Sequence, residues 1–153
     1  MEELYLYIAE RLANEVPGLV TIDEDTGQLI ETGDQYPVLF PCALINVADI
    51  QWESDKYASE QRGDVTVTVK NAFSCYEDTH LSSQPSRDGF VRLKERNRMH
   101  KQICKALHRY NFDQDKMSEL RRTSTRCYTL FGNVKVYEST FNLKITEDLF
   151  TDD

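Results

Sequence analysis

The sequence has little of what catalytic and membrane-spanning chains depend on. Only six of its 153 residues are glycine, and they are scattered. That excludes a glycine-rich loop of the kind that cradles phosphates. There is no GxSxG nucleophile elbow and no ExK nuclease strand. No apolar run approaches the roughly 20 residues needed to cross a bilayer as a helix. The four cysteines, Cys42, Cys75, Cys104 and Cys127, lie far apart and form no CxxC pair. They are expected to be buried free thiols rather than zinc ligands or disulfide partners. The beginning, MEELYLYIAERL, is acidic and carries no small-residue cleavage site, so it is not expected to be a secretory leader. No catalytic residue, cofactor site, metal site or membrane partner is expected, and the chain is not expected to be an enzyme.

What is present describes an ordinary globular domain with an uneven charge distribution. The composition is 40% hydrophobic and 29% charged. A chain of this length buries about 70% of its unfolded surface, enough for one domain without staples. The net charge is −8. Between Arg87 and Arg126 there are twelve Lys/Arg and five Asp/Glu, a local balance of +7; the remainder carries −15. Such a split can steer association with a partner of opposite sign.

The hydrophobic pattern sets out the elements. Leu4, Ile8, Leu12 and Val16 recur at four-residue spacing, which predicts a helix over 3–16, stopped by Pro17-Gly18. Residues 20–35 alternate β-branched pieces with turn residues at Thr26-Gly27 and Thr32-Gly33. They predict a small hairpin in which Val20 and Ile22 face Leu29 and Ile30. The stretch YPVLFPCALINV predicts a strand, with Pro41 inside it. A proline there argues for an edge position or a bulge, and CALINV is the part expected to pair. Trp52, the only tryptophan, falls in a polar connection expected to project from the body.

Val65, Val67 and Val69 alternate with Thr66, Thr68 and Lys70, the signature of a strand with one buried face. Residues 74–89 are expected to be a loop containing His80, with Asp88 capping the next helix. That helix, 90–110, has an apolar side of Phe90, Leu93, Ile103 and Leu107. Its basic residues Arg92, Lys94, Arg96, Arg98 and Lys101 are expected to ring most of its circumference. Residues 119–132 predict another strand, with a turn at Gly132-Asn133. In the last strand, 134–145, Val134 and Val136 are even while Phe141, Leu143 and Ile145 are odd. That change of parity predicts a bulge or change of face near Glu138-Ser139. The end, about 147–153, is expected to be a loose acidic tail. The fold class expected is α+β: one domain over 1–153, with a central antiparallel sheet of four to five strands and two main helices against it.

His100, Cys104 and His108 sit one helical turn apart, a spacing used by some zinc sites. The third member lies a further turn away, out of reach of one ion shared with the other two, so a partly buried polar flank is expected. A nucleic-acid interface on the basic helix is the alternative function. It is disfavoured by the overall acidity and by the spread of the basic residues.

The N-terminal helix ending in Val16-Pro17-Gly18, the YPVLFPCALI strand followed by a tryptophan, the RGDVTVTV strand, the basic helix VRLKERNRMHKQICKALH and the closing pair ending in FNLKI occur in an order that resembles phage tail-completion proteins. The order is most similar to the tail terminator and neck proteins of long-tailed phages. The resemblance implies a structural protein without cofactor, made in the host cytoplasm and then part of the virion tail or neck. It implies a ring, usually of six copies, that caps the tail tube and joins it to the head-side connector. Its partners would be itself, the tube protein and the connector protein. Trp52, Arg92, Arg96 and Arg98 are then the candidate subunit interface. The charge split suits a head-to-tail contact, and the prolines suit an edge guarded against indiscriminate strand addition.

Overall fold

The computed structural model describes residues 2–30, 35–53, 59–75 and 87–149. The element order is α1 (Glu2–Glu15), β1 (Thr21–Glu24), β2 (Cys42–Trp52), β3 (Glu60–Ser74), α2 (Arg87–Leu107), β4 (Arg121–Leu130) and β5 (Val134–Asp148). One mixed five-stranded sheet has the order β1-β2-β3-β5-β4. All pairs are antiparallel except β1 with β2. The fold is α+β, as the element pattern predicts.

Both helices pack on one face of the sheet. α1 presents the predicted row, with Leu4, Ile8, Leu12 and Val16 all buried. They meet Ile103, Ala106 and Leu107 of α2, and Ala43, Ile45, Val65, Val67, Val69, Phe141, Leu143 and Ile145 of the sheet. Arg11 ties the two helices together: its Nε donates to the Ala106 carbonyl at 2.6 Å, and its guanidinium lies 3.5 Å from the Tyr110 ring centroid. A cation at the last carbonyls of α2 also suits the negative end of that helix. α2 begins at Arg87, so Asp88 belongs to its first turn rather than preceding it. His80, the Thr32-Gly33 turn and the side chain of Asp88 lie outside the described residues.

The opposite, outer face has its own smaller core. Leu29, Cys42, Leu44, Ala72, Val134 and Val136 are buried there, with Tyr36, Val38, Phe40, Tyr128 and Leu130 packed against them. Alternate residues Tyr36, Val38 and Phe40 supply this cover, while Leu39 between them is exposed. The apolar run before Pro41 is therefore not strand. β2 starts immediately after the proline, at Cys42, and the Pro41 carbonyl accepts a hydrogen bond from Val20 N–H at 2.9 Å. The Phe40–Pro41 peptide is cis.

Two local expectations are corrected. Residues 20–30 do not form a hairpin with one another; Thr21–Glu24 pair in parallel with Cys42–Ile45. The chain then turns at Asp25–Gln28, where the buried Gln28 side chain accepts from Thr26 N–H at 2.8 Å and donates to the Glu24 carbonyl at 2.9 Å. Val20 and Ile30 stay exposed, Ile22 is half-buried against the helix-side core and Leu29 is buried in the outer one. The second correction concerns β5. It has no bulge: its register with β3 is unbroken from Val134↔Ser74 to Asp148↔Glu60. Its even residues Val134 and Val136 enter the outer core, and its odd residues from Phe141 to Ile145 enter the helix-side core. Both faces are covered, so the change of parity requires no change of face. The bulges lie instead between Val47 and Asp49 on β2 and between Arg122 and Ser124 on β4. β5 also runs through Asp148, two residues into the stretch expected to be loose.

Candidate functional site

The four interface candidates do not form one cluster. Trp52 ends β2 directly opposite Gly63 of β3, so the strand reaches further than CALINV. Its ring lies on Gly63: a Cβ there would fall 2.8 Å from Trp52 Cε3. Trp52 keeps 38% of its surface exposed. The arginines lie toward the other end of the sheet, where Arg96 and Arg92 line a pocket of about 260 Å³ with Pro41, Phe73, Cys75 and Met99. Gly63 and Cys75 are separated by twelve residues along the chain, at most about 40 Å in an extended strand.

Within α2 the basic side chains divide by face. Arg96 turns inward and donates from Nη1 to the Cys75 sulfur, and its Nε is buried without a partner. Arg92 and Arg98 are exposed. So are Lys94, Lys101 and Lys105, which with Arg98 form a stripe at spacings of four, three and four residues. The basic residues are therefore not spread evenly around the helix. Its first half carries little core: Phe90 is 41% and Val91 45% exposed.

His100, Cys104 and His108 each have a different role. His100 stacks on Tyr137 with ring centroids 4.9 Å apart, and its Nδ1 is buried without a partner. Burial, and then the nearby Arg122 charge, hold its pKa below the ordinary value. Cys104 is buried between His100 Nε2 at 3.6 Å and Ser139 Oγ at 3.7 Å. His108 is exposed and its Nδ1 accepts the Arg122 backbone N–H at 3.1 Å. Among the described residues no group of three His, Cys, Asp or Glu side chains converges on a metal-sized space. The cysteines are free, but they are not uniformly buried: Cys75 is half-buried and Cys127 is exposed. Cys127 sits on the edge strand β4, which the helices leave uncovered. Burial pushes the Cys42 thiol up to about 11.

One electrostatic feature was not visible from spacing. On the outer face Lys70 of β3 stands opposite Glu138 of β5, which stands opposite Arg126 of β4. Asp25, on the turn after β1, closes on Lys70 at 2.9 Å. The result is a row that alternates −, +, −, + across the sheet and ends at the β4 edge. Only the register of all three strands brings these four residues into line.

No protein-family model matches the chain, and no curated protein matches it by sequence. Solved structures do match. One is a chain described as "Virion of native gene transfer agent (GTA) particle", at a TM-score of 0.61 and 8% identity. The alignment covers 94% of this chain and 95% of that one. At such low identity the likeness establishes a shared fold over the whole length.

Proposed function

We propose that the chain is a structural protein of a phage-like particle: a tail-completion subunit that forms a ring, caps the tail tube and joins it to the head-side connector. The observation that carries this reading is the chain-long likeness of fold to a component of a gene transfer agent virion. The element order, which resembles tail terminator and neck proteins, points the same way. No catalytic step and no cofactor is part of the proposal. Its partners are further copies of itself, the tube protein and the connector protein. It would be made in the host cytoplasm and end in the tail or neck of the particle.

The test is genetic and visual. Deleting the gene from its phage or prophage should leave heads and unjoined or overlong tails in electron micrographs, and a plasmid copy should restore whole particles. Normal particles from the deletion strain would overturn the proposal. A second reading, contact with nucleic acid, draws on the exposed stripe of Lys94, Arg98, Lys101 and Lys105. Phosphate contacts weaken steeply with salt. An oligonucleotide shift that disappears in a Lys94→Glu/Arg98→Glu variant, together with normal particles from the deletion strain, would favour it.

A further inference from the structure

The two edges of the sheet are opposite in charge and unequal in protection. β4 forms one edge, with no strand beyond it among the described residues. Its ten residues, RRTSTRCYTL, contain no proline, no glycine and no acid. Every residue from Arg121 to Cys127 is exposed. Arg121 meets Glu119 at 3.0 Å, whereas neither Arg122 nor Arg126 has an acid within ion-pair distance among the described residues. Long exposed edges are normally blunted by charge placement, proline, bulges or cover, because their unpaired backbone groups invite another strand. β4 has one bulge near its start, at Arg122/Ser124. From Ser124 to Leu130 its one such guard among the described residues is the exposed charge of Arg126.

The other edge is acidic. β1 is only four residues long and covers β2 from Cys42 to Ile45. Beyond Ile45, β2 continues to Trp52 with no described strand on that side. Asp23, Glu24 and Asp49 are exposed along this edge. No lysine or arginine occurs in residues 21–30 or 46–53. The alternating row on the outer face runs between the same two edges, with Asp25 at the acidic end and Arg126 at the basic one.

We propose that the β4 edge of one copy adds to the β1/β2 edge of a second copy, so that the sheet continues from subunit to subunit. Pairing β4 with another β4 would set three arginines against three, and pairing two acidic edges would be equally mismatched. Like charges facing across strands are destabilising and opposite charges stabilising. Only the heterologous arrangement matches charge, and it carries the alternation of Asp25, Lys70, Glu138 and Arg126 on to an acid of the next copy. A head-to-tail contact repeats, giving a ring where the rotation closes and a filament where it does not. Closure as a ring rests on the tail-completion reading; the pairing itself does not. Trp52, at the end of the acidic edge, is the aromatic anchor available to this contact.

Cys127 is a built-in reporter for the test. A disulfide forms only where Cα atoms approach within about 7 Å. Ala48→Cys and Gln51→Cys place a thiol singly along the acidic edge. Concentrated protein is oxidised and run on non-reducing gels. Pairing of opposite edges predicts a ladder of dimers, trimers and higher species from at least one variant, lost when Cys127→Ser is added. Wild type should stay monomeric on the same gel. A wild-type dimer made through Cys127 would mean that β4 pairs with β4, and no ladder from either variant would mean that the edges do not meet; either overturns the proposal. Sedimentation supplies the second arm. Arg122→Glu/Arg126→Glu should weaken self-association about tenfold or more, with the melting temperature lowered only slightly, because position 126 faces Glu138 across the strands. Adding Asp23→Lys/Asp49→Lys should restore it, and equal association in all three proteins would sink the charge argument. A ladder without a tail phenotype refutes the proposed function alone, and a tail phenotype without a ladder refutes the interface alone.

Discussion

The two faces of the sheet are both buried, but by different means. The helix face is closed by two regular helices and a large apolar cluster that includes Phe141, Leu4, Ile8 and Leu12, all essentially inaccessible. The outer face is closed by an extended segment, alternate residues of 36–40, held by the Tyr36 hydroxyl donating to the Phe131 carbonyl at 2.8 Å, and by the turn after β1, held by the Asp25–Lys70 ion pair. Helices bring a ready apolar stripe to a sheet. An extended segment can bury only every second side chain, so it needs polar anchors at its ends. Lys70 shows that balance: burial alone would lower its pKa, but the hydrogen bond and charge of Asp25 outweigh burial and raise it.

The largest expected effect tests whether the helix face dominates stability. Phe141→Ala should cost about 3–5 kcal/mol, as large aromatic truncations in closed cores do. That is a large share of the roughly 5–15 kcal/mol that holds a domain together. Val136→Ala, on the outer face of the same strand, should cost about 2 kcal/mol, from two lost carbons at about 0.8 kcal/mol each and a small cavity. Urea unfolding of the two variants measures both. Equal losses would mean that the outer core is as rigid as the helix face.

This contrast also explains what the sequence discloses. The α1 row and the Val65–Val67–Val69 alternation were legible because each of these stretches fully buries one face only. β5 was not, because it serves the helix-side core at one end and the outer core at the other, and a periodic pattern does not reveal that a second face is covered. The pairing of Thr21–Glu24 with β2 depends on a partner twenty-one residues away in register, which local turn signals cannot supply. The inward turn of Arg96 was hidden for a related reason. Its place on the inner side of α2 matters only because Cys75 follows the end of β3 directly beneath it. Of the site candidates, the exposure of Arg92 and Arg98 follows from their type, whereas the charge row and the unequal edges emerge only from strand order.

A middle-sized effect sharpens the role of the polar anchor. Asp25→Ala leaves the Lys70 ammonium, whose side chain is only 16% exposed, without its partner. The expected cost is about 2 kcal/mol, below the roughly 3–5 kcal/mol for breaking a fully buried pair. Replacing both residues, as Asp25→Leu/Lys70→Met, should recover most of that loss, because two apolar groups leave no stranded charge. If the double variant is less stable than Asp25→Ala, the pair itself, rather than the stranded lysine, holds down the turn after β1.

The smallest effect separates the faces by pH. His100 lies on the helix face against Tyr137, Cys104 and the Arg122 charge, and its folded pKa is depressed below 6.5. The unfolded chain therefore takes up a proton first as pH falls. Its contribution is complete above pH 6.5 and is lost progressively as pH drops from there toward the folded value. Lys70 acts in the opposite range. Its folded pKa is raised above 10.5, so the outer face keeps that contribution below pH 10.5 and loses it as pH rises further. Melting curves from pH 5.5 to 8 for wild type and His100→Phe isolate the first effect, since phenylalanine keeps the stack on Tyr137 without a titrating nitrogen. The difference between the two should widen in favour of His100→Phe as pH falls below 6.5. On curves extended above pH 10.5, Asp25→Leu/Lys70→Met should flatten only the alkaline limb and leave that acid-side difference untouched. Parallel acid limbs for wild type and His100→Phe would mean that α2 yields enough on protonation for His100 to be solvated in place.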